Sequence, residues 1–218
     1  MYKKEYVLSV SDVDAFSNLK LSSLMVMMQD VATDHAESSG IGQSKIIKEE
    51  MFWVISRYSI SIKRLPRYQD RIFVCTYPGD DMKFMFPRYF KIMDENGDIL
   101  IQASSLWLVL NKEDHRVNLN PFNGFVLPSE HYEGEEPLPE KISNDDKEFV
   151  EKRVVRFNDV DFNKHLNNTK YIEYIVDSHD YDFYKHHDIK HIVINYNKEI
   201  KYGDVVSLYS NKEKQHHH

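Results

Sequence analysis

Three polar side chains alternate over five positions of this chain, Asp161, Asn163 and His165, inside the segment NDVDFNKHLNNTKYIEYIVD that runs from Asn158 to Asp177. A carboxylate, an amide and an imidazole at this spacing could hold a water, orient a carbonyl and move a proton. A fourth candidate, Glu199 in YNKEIKYGD, stands 34 residues beyond His165 and supplies a second base. The segment also precedes a helical pattern, whose first N–H groups at Asn167 to Thr169 and positive dipole end suit a developing negative charge.

The chain carries an internal control for these residues. The segment recurs without gaps as SDVDAFSNLKLSSLMVMMQD, Ser11 to Asp30, at a constant offset of 147, pairing Asp12 with Asp159, Asp14 with Asp161 and Asp30 with Asp177. Phe16 stands opposite Asn163 and Asn18 opposite His165. A second echo, RLPRYQDRI from Arg64 against KEIKYGDVV from Lys198, runs at an offset of 134 and sets Leu65 opposite Glu199. The chain therefore reads as a duplication in which one copy bears chemistry. Because Asp12 and Asp14 persist in the inert copy, Asp159 reads as a turn residue, and Asp161 divides evenly between a turn role and a chemical one. Asn167 or Asn168 reads first as a helix cap.

The elements that must position these groups follow from periodicity. Met1 to Val10 is strand-like, and a long helix with Ser22 as cap carries Leu24, Met25, Met28, Val31 and Ala32 on one face, ending near Gly40 or Gly42. Four β-rich runs follow from Trp53, Arg71, Met85 and Ile99, the last two joined by the turn DENGD. Residues 118–147 hold four of the seven prolines and read as a linker. The second copy repeats strand and helix, the latter from about Asn168 with Tyr171, Ile172, Ile175 and Val176 on one face. It then continues through HIVINYNKEI and DVVSLYS and lacks the closing strands of the first. The expected division is 1–117, linker 118–147, 148–215, and a histidine tag at 216–218. A helix so incompletely wrapped should be less covered than its counterpart.

Composition narrows the classes. With 218 residues, 41% hydrophobic and 13% aromatic, the chain can bury two cores of about 100 residues each. No run of about 18 apolar residues suggests a membrane span, and no leader is evident, so a cytoplasmic protein is expected. A net charge of −7, with no basic and aromatic interleaving, argues against nucleic acid as partner. The single cysteine, Cys75 within a strand-like run, reads as a small buried residue. His186, His187 and His191 lack the ligands that would complete a metal site, so no metal or cofactor is expected. No G-x-S-x-G elbow is present.

A strand, a long helix and a wrapping meander describe an α+β hotdog, and two in tandem a double hotdog. DVDFNKHLNNTKYIEYI resembles the signature of the acyl-acyl carrier protein thioesterases, the group that includes the plant FatA and FatB enzymes. WVISRYSISIKRLPRYQDRIFVCTY and ASSLWLVLNKEDHRV are similar to strands of that family's first hotdog. The resemblance implies catalytic positions at Asp161, Asn163, His165 and, on a later strand, Glu199. It also implies an acyl pocket shaped by the first hotdog and acyl carrier protein as partner. Ile200 stands where plant members often carry a cysteine, which excludes a thiol nucleophile there. Acyl-CoA is the rival thioester, and a non-catalytic acyl-binding sensor is the rival class. Lys63, Arg64, Arg67, Arg71, Lys198 and Lys201 are candidates for a basic docking face, on a monomer or homodimer.

Overall fold

The computed structural model describes residues 1–80, 82–122, 136–142 and 147–210, so the middle of the expected linker and the expected tag lie outside the described residues. In chain order the elements are β1 (Tyr2–Val7), α1 (Leu21–Ser38), α2 (Gln43–Lys48), β2 (Met51–Ile62), β3 (Arg71–Pro78), β4 (Phe86–Asp94) and β5 (Ile99–Asn111). The second half adds β6 (Glu148–Val154), α3 (Asn168–Asp177), α4 (Tyr181–His186), β7 (His191–Asn195) and β8 (Val205–Ser210). The chain forms two compact units: Met1–Glu140 with Ile189–Tyr196, and Lys141–Asp188 with the segment that begins at Asn197.

In the first unit an antiparallel sheet of order β1-β3-β4-β5-β2-β7 carries α1 across β1 and β3. Leu24, Met25, Met28 and Val31 have no exposed surface, as expected for one apolar stripe at a period of 3.6 laid on a sheet. The helix begins at Leu21 rather than at a Ser22 cap, with Lys20 as N-cap. The Lys20 N–H is already bonded to Asp12 O, which turns the chain into the helix two residues early. At its other end α1 stops at Ser38, ahead of both glycines. The DENGD turn closes as expected, Asp94 N–H on Asp98 O, with Gly97 at a φ of 88° that favours glycine.

The described flanks of the linker are pinned to this sheet. Ser59 Oγ donates to the buried Glu136 at 2.6 Å, Ser104 Oγ donates to Pro137 O, and Asn195 Nδ2 donates to Glu140 O. β7, expected in the second hotdog, pairs with β2 and lies within the first unit. Its register is self-complementary. Arg57 faces Asn195 and Ser61 faces His191, centred on Ser59 and Val193, which are each other's echo at the 134 offset.

In the second unit β6 pairs with β8, and Val155, Leu166 and Tyr174 form a core with Val160, Tyr171, Ile200, Val206 and Leu208 around it. The echo reappears bond for bond. Val7 faces Arg71 and Val154 faces Val205, each pair displaced by the two offsets read from sequence. Val13 bridges Leu19 as Val160 bridges Leu166. Ser17 and Lys164 take the same left-handed φ, 64° and 65°. α1 and α3 begin at echoed positions, but α3 buries three residues, Thr169, Ile172 and Tyr174, where α1 buries eight. Ile175 remains 48% exposed.

Candidate active site

All four proposed residues lie in the second unit, on two loops that meet at one bridge. His165 pairs with Lys201 as an isolated bridge, and Leu166 N–H bonds to Ile200 O. Glu199 sits in the loop between β7 and β8 and not on a strand, two residues before the bridge at Lys201. The bridge sets the two side chains together, His165 Nε2 lying 3.3 Å from Glu199 Oε2, with 17% and 35% of the side chains exposed.

The loop that carries His165 is built by carboxylates. Asp161 Oδ1 accepts the N–H groups of Asn163 at 2.8 Å and His165 at 3.2 Å. Asp14 Oδ1 does the same for Phe16 and Asn18. This shared geometry assigns Asp161 a turn role, and that role explains the persistence of Asp14 in the other copy. Asp159 accepts Arg156 N–H and the Tyr174 hydroxyl, a turn role as expected. Burial, and then the bond to Asp159, push the Tyr174 phenol up to about 12.

Asn167 is the cap of α3. Its Oδ1 accepts Thr169 N–H at 3.0 Å and the Thr169 hydroxyl at 2.9 Å. This narrows one expectation, because two of the three N–H groups are taken: Thr169 N–H is bound to the cap, and Asn167 N–H to Asp159 O. Neither is available to an oxyanion. The amide of Asn163, half-buried two residues before His165, is left as the candidate side-chain donor.

Tyr171 is a residue that the sequence reading assigned only to a helix face. Its hydroxyl donates to Lys198 O at 3.4 Å, and burial, with the charge of Glu199 second, pushes the phenol up to about 12. A tyrosine on an apolar helix face, with a polar tip to satisfy, was the available signal. Of the histidines considered for metal, His187 Nδ1 bonds Phe183 O and His191 Nδ1 bonds Ser61 Oγ, both at exposed positions.

With this geometry in view, the comparisons identify the chain. A family model described as the acyl-ACP thioesterase N-terminal domain matches residues 1–120, and one for the C-terminal domain of the same family matches 142–218. The protein belongs to the acyl-ACP thioesterase family. A palmitoyl-acyl carrier protein thioesterase of Arabidopsis thaliana, described as chloroplastic, is 24% identical over 91% of this chain and 52% of its own. The chain spans about half the length of the curated relatives it matches. Among solved structures, an acyl-ACP thioesterase from Bacteroides thetaiotaomicron aligns with a TM-score of 0.85 at 24% identity, over 94% of this chain and 84% of that one. A 12:0-ACP thioesterase from Umbellularia californica aligns at 0.82 and 20% identity, over 98% and 88%. These likenesses carry the fold, the tandem hotdog of the family, as expected.

Proposed function

We propose that this protein hydrolyses the thioester linking an acyl chain to acyl carrier protein, releasing free fatty acid and carrier protein. The observation that carries this reading is the His165 and Glu199 pair, 3.3 Å apart in the copy that bears chemistry, where the other copy has Asn18 and Leu65. Family membership and the activities of relatives support it.

In this mechanism Glu199, held against His165, takes a proton from a water as its oxygen bonds the thioester carbon. Asn163 donates to the carbonyl oxygen as charge builds there. Collapse breaks the C–S bond, and the proton taken by the base passes to the leaving thiolate. His165 orients the carboxylate and shares the proton, and Asp161 fixes the loop that presents both Asn163 and His165. The first unit shapes the acyl pocket, with no metal or cofactor required. The protein is read as cytoplasmic; no described helix is long and apolar enough to cross a membrane.

Docking of acidic carrier protein needs exposed positive charge. Arg71 pairs with Glu5, while Arg64 lies near Asp70 and Asp94, which weakens two candidates. Lys63, Lys198 and Lys201 make no ion pair among the described residues and are the better ones. The phosphopantetheine arm is common to acyl-CoA, so turnover of palmitoyl, oleoyl and shorter chains on carrier protein is compared with the same chains on CoA. Release of fatty acid from carrier protein at the higher kcat/KM is expected; binding of acyl carrier protein without release marks a sensor and overturns the reading.

A further inference from the structure

The loops of the second unit differ from their echoes in one consistent way at the surface. At the 147 offset Arg156 stands for Ser9, Phe157 for Val10, Phe162 for Ala15 and Lys164 for Ser17. All eight positions are exposed, so the exchange fills no core. Phe157 keeps 79% of its surface and Phe162 72%. Val10 is itself 72% exposed in the unit with the six-stranded sheet, so the thinner cover of the second unit does not account for the open ring at its echo.

These residues gather at one place. Val155 N–H bonds Asp204 O and Gly203 N–H bonds Val155 O, which sets Arg156 and Phe157 next to the turn that carries Lys201 and the 65% exposed Tyr202. His165 bridges Lys201, and the turn closed by Lys164 N–H on Asp161 O holds Phe162. Arg156, Lys164 and Lys201 make no ion pair among the described residues. The nearby carboxylates face backbone groups: Asp159 accepts Arg156 N–H, Asp161 accepts Asn163 and His165 N–H, and Asp204 accepts Lys201 N–H. They recur as Asp12, Asp14 and Asp70, so their charge is common to both copies. What sets the second copy apart is two rings and two cations added in the open.

We infer that this face, made by Arg156, Phe157, Phe162, Lys164, Lys201 and Tyr202, is a docking surface for an anionic lipid bilayer. Open rings gain by leaving water for the headgroup and acyl boundary, which accepts a ring anywhere along it, whereas a folded partner must offer a matched recess for each. A tyrosine with its hydroxyl towards water suits the same boundary. The cations beside the rings meet lipid phosphates, each adding about fivefold in affinity. Charges beyond roughly 8 Å are screened at physiological salt, so this local set counts for more than the chain's net charge of −7. The seat itself does not depend on the thioesterase reading. Its use does, since the fatty acid released by that reaction partitions into lipid, and Phe162 adjoins Asn163 in the loop that presents the reacting groups.

The test is sedimentation of the full chain with vesicles of phosphatidylcholine alone and with about one third phosphatidylglycerol. Two paired variants are compared with it, Phe157→Val with Phe162→Ala and Arg156→Ser with Lys164→Ser, which restore the residues that the first copy carries in the same loops. The unaltered protein should sediment with the anionic vesicles, and less so as salt rises. The phenylalanine pair should lose about tenfold or more in affinity. The cation pair should lose about ten- to thirtyfold, on anionic vesicles alone. Urea unfolding checks the fold, and either pair suffices should the other unfold early. Absence of the unaltered protein from the vesicle pellet, or full binding by the phenylalanine pair, overturns the inference. No vesicle binding, with kcat/KM reduced in either pair on acyl carrier protein but not on acyl-CoA, assigns the face to a protein partner and overturns it too. A protein that sediments but releases no fatty acid sinks the thioesterase reading and leaves the seat standing; one that turns over without sedimenting does the reverse.

Discussion

His165 Nε2 stands 3.3 Å from Glu199 Oε2, 34 residues on, beside the bridge between His165 and Lys201. Neither group has an echo able to take a proton: Asn18 and Leu65 stand at the corresponding positions of the first copy, where Asn18 forms the corresponding bridge to Arg67. If this pair activates water, Glu199→Gln and His165→Ala should each lower kcat by roughly 10²- to 10⁴-fold. Asn18→Ala should change it by less than about threefold, because its copy lacks the base. Equal losses from Asn18 and His165 in steady-state kinetics would end the assignment.

Asp161 acts through the loop, so its variants should separate acceptor from charge. Asp161→Ala leaves the Asn163 and His165 N–H groups without their acceptor and should cost about 1 to 3 kcal/mol of stability together with a fall in kcat. Asp161→Asn retains an oxygen acceptor and should recover most of both. If the asparagine variant is as inactive as the alanine one at full stability by urea unfolding, the carboxylate charge itself takes part in the chemistry.

Tyr171→Phe removes the hydroxyl that reaches Lys198 O beside Glu199. One neutral hydrogen bond corresponds to about 0.5 to 1.5 kcal/mol, so kcat should fall about two- to tenfold with KM little changed. A rise in KM alone would place Tyr171 in binding rather than in positioning the base.

His35 links stability to pH. Burial, then the Arg88 guanidinium and the chain's amino group, hold its imidazole down to about 4 from an ordinary 6.5. Between these values the unfolded chain binds a proton that the folded one does not, so stability is fully present above about 6.5 and is lost as pH falls towards 4. The loss is on the order of 2 to 3 kcal/mol. His35→Gln, which keeps an oxygen able to accept from Arg88, should flatten this part of the urea-unfolding profile. An unchanged slope would show that other groups titrate there.

Cys75 lies wholly buried in β3, and burial pushes its thiol up. Under native conditions alkylating reagents should leave both the thiol and thioester turnover intact. Rapid native labelling with loss of most activity, the fold unchanged by circular dichroism, would contradict a water-based reaction.

What the chain determined by itself was whatever depends on short-range pattern. The two offsets, 147 and 134, relate the turn carboxylates Asp14 and Asp161, the starts of α1 and α3, and the pairs Val7–Arg71 and Val154–Val205, because Asx turns and antiparallel pairing are governed by neighbours a few residues apart. The polar asymmetry at Asn163, His165 and Glu199 was visible for the same reason. Only the tertiary structure decided what those groups meet. It set Glu199 against His165, occupied the N–H groups of Asn167 and Thr169, and gave β7 to the edge of β2. It also left Phe157 and Phe162 open to solvent, although phenylalanine by its type reads as core. Whether a ring is buried depends on what the rest of the chain lays over it, and sequence spacing carries no record of that.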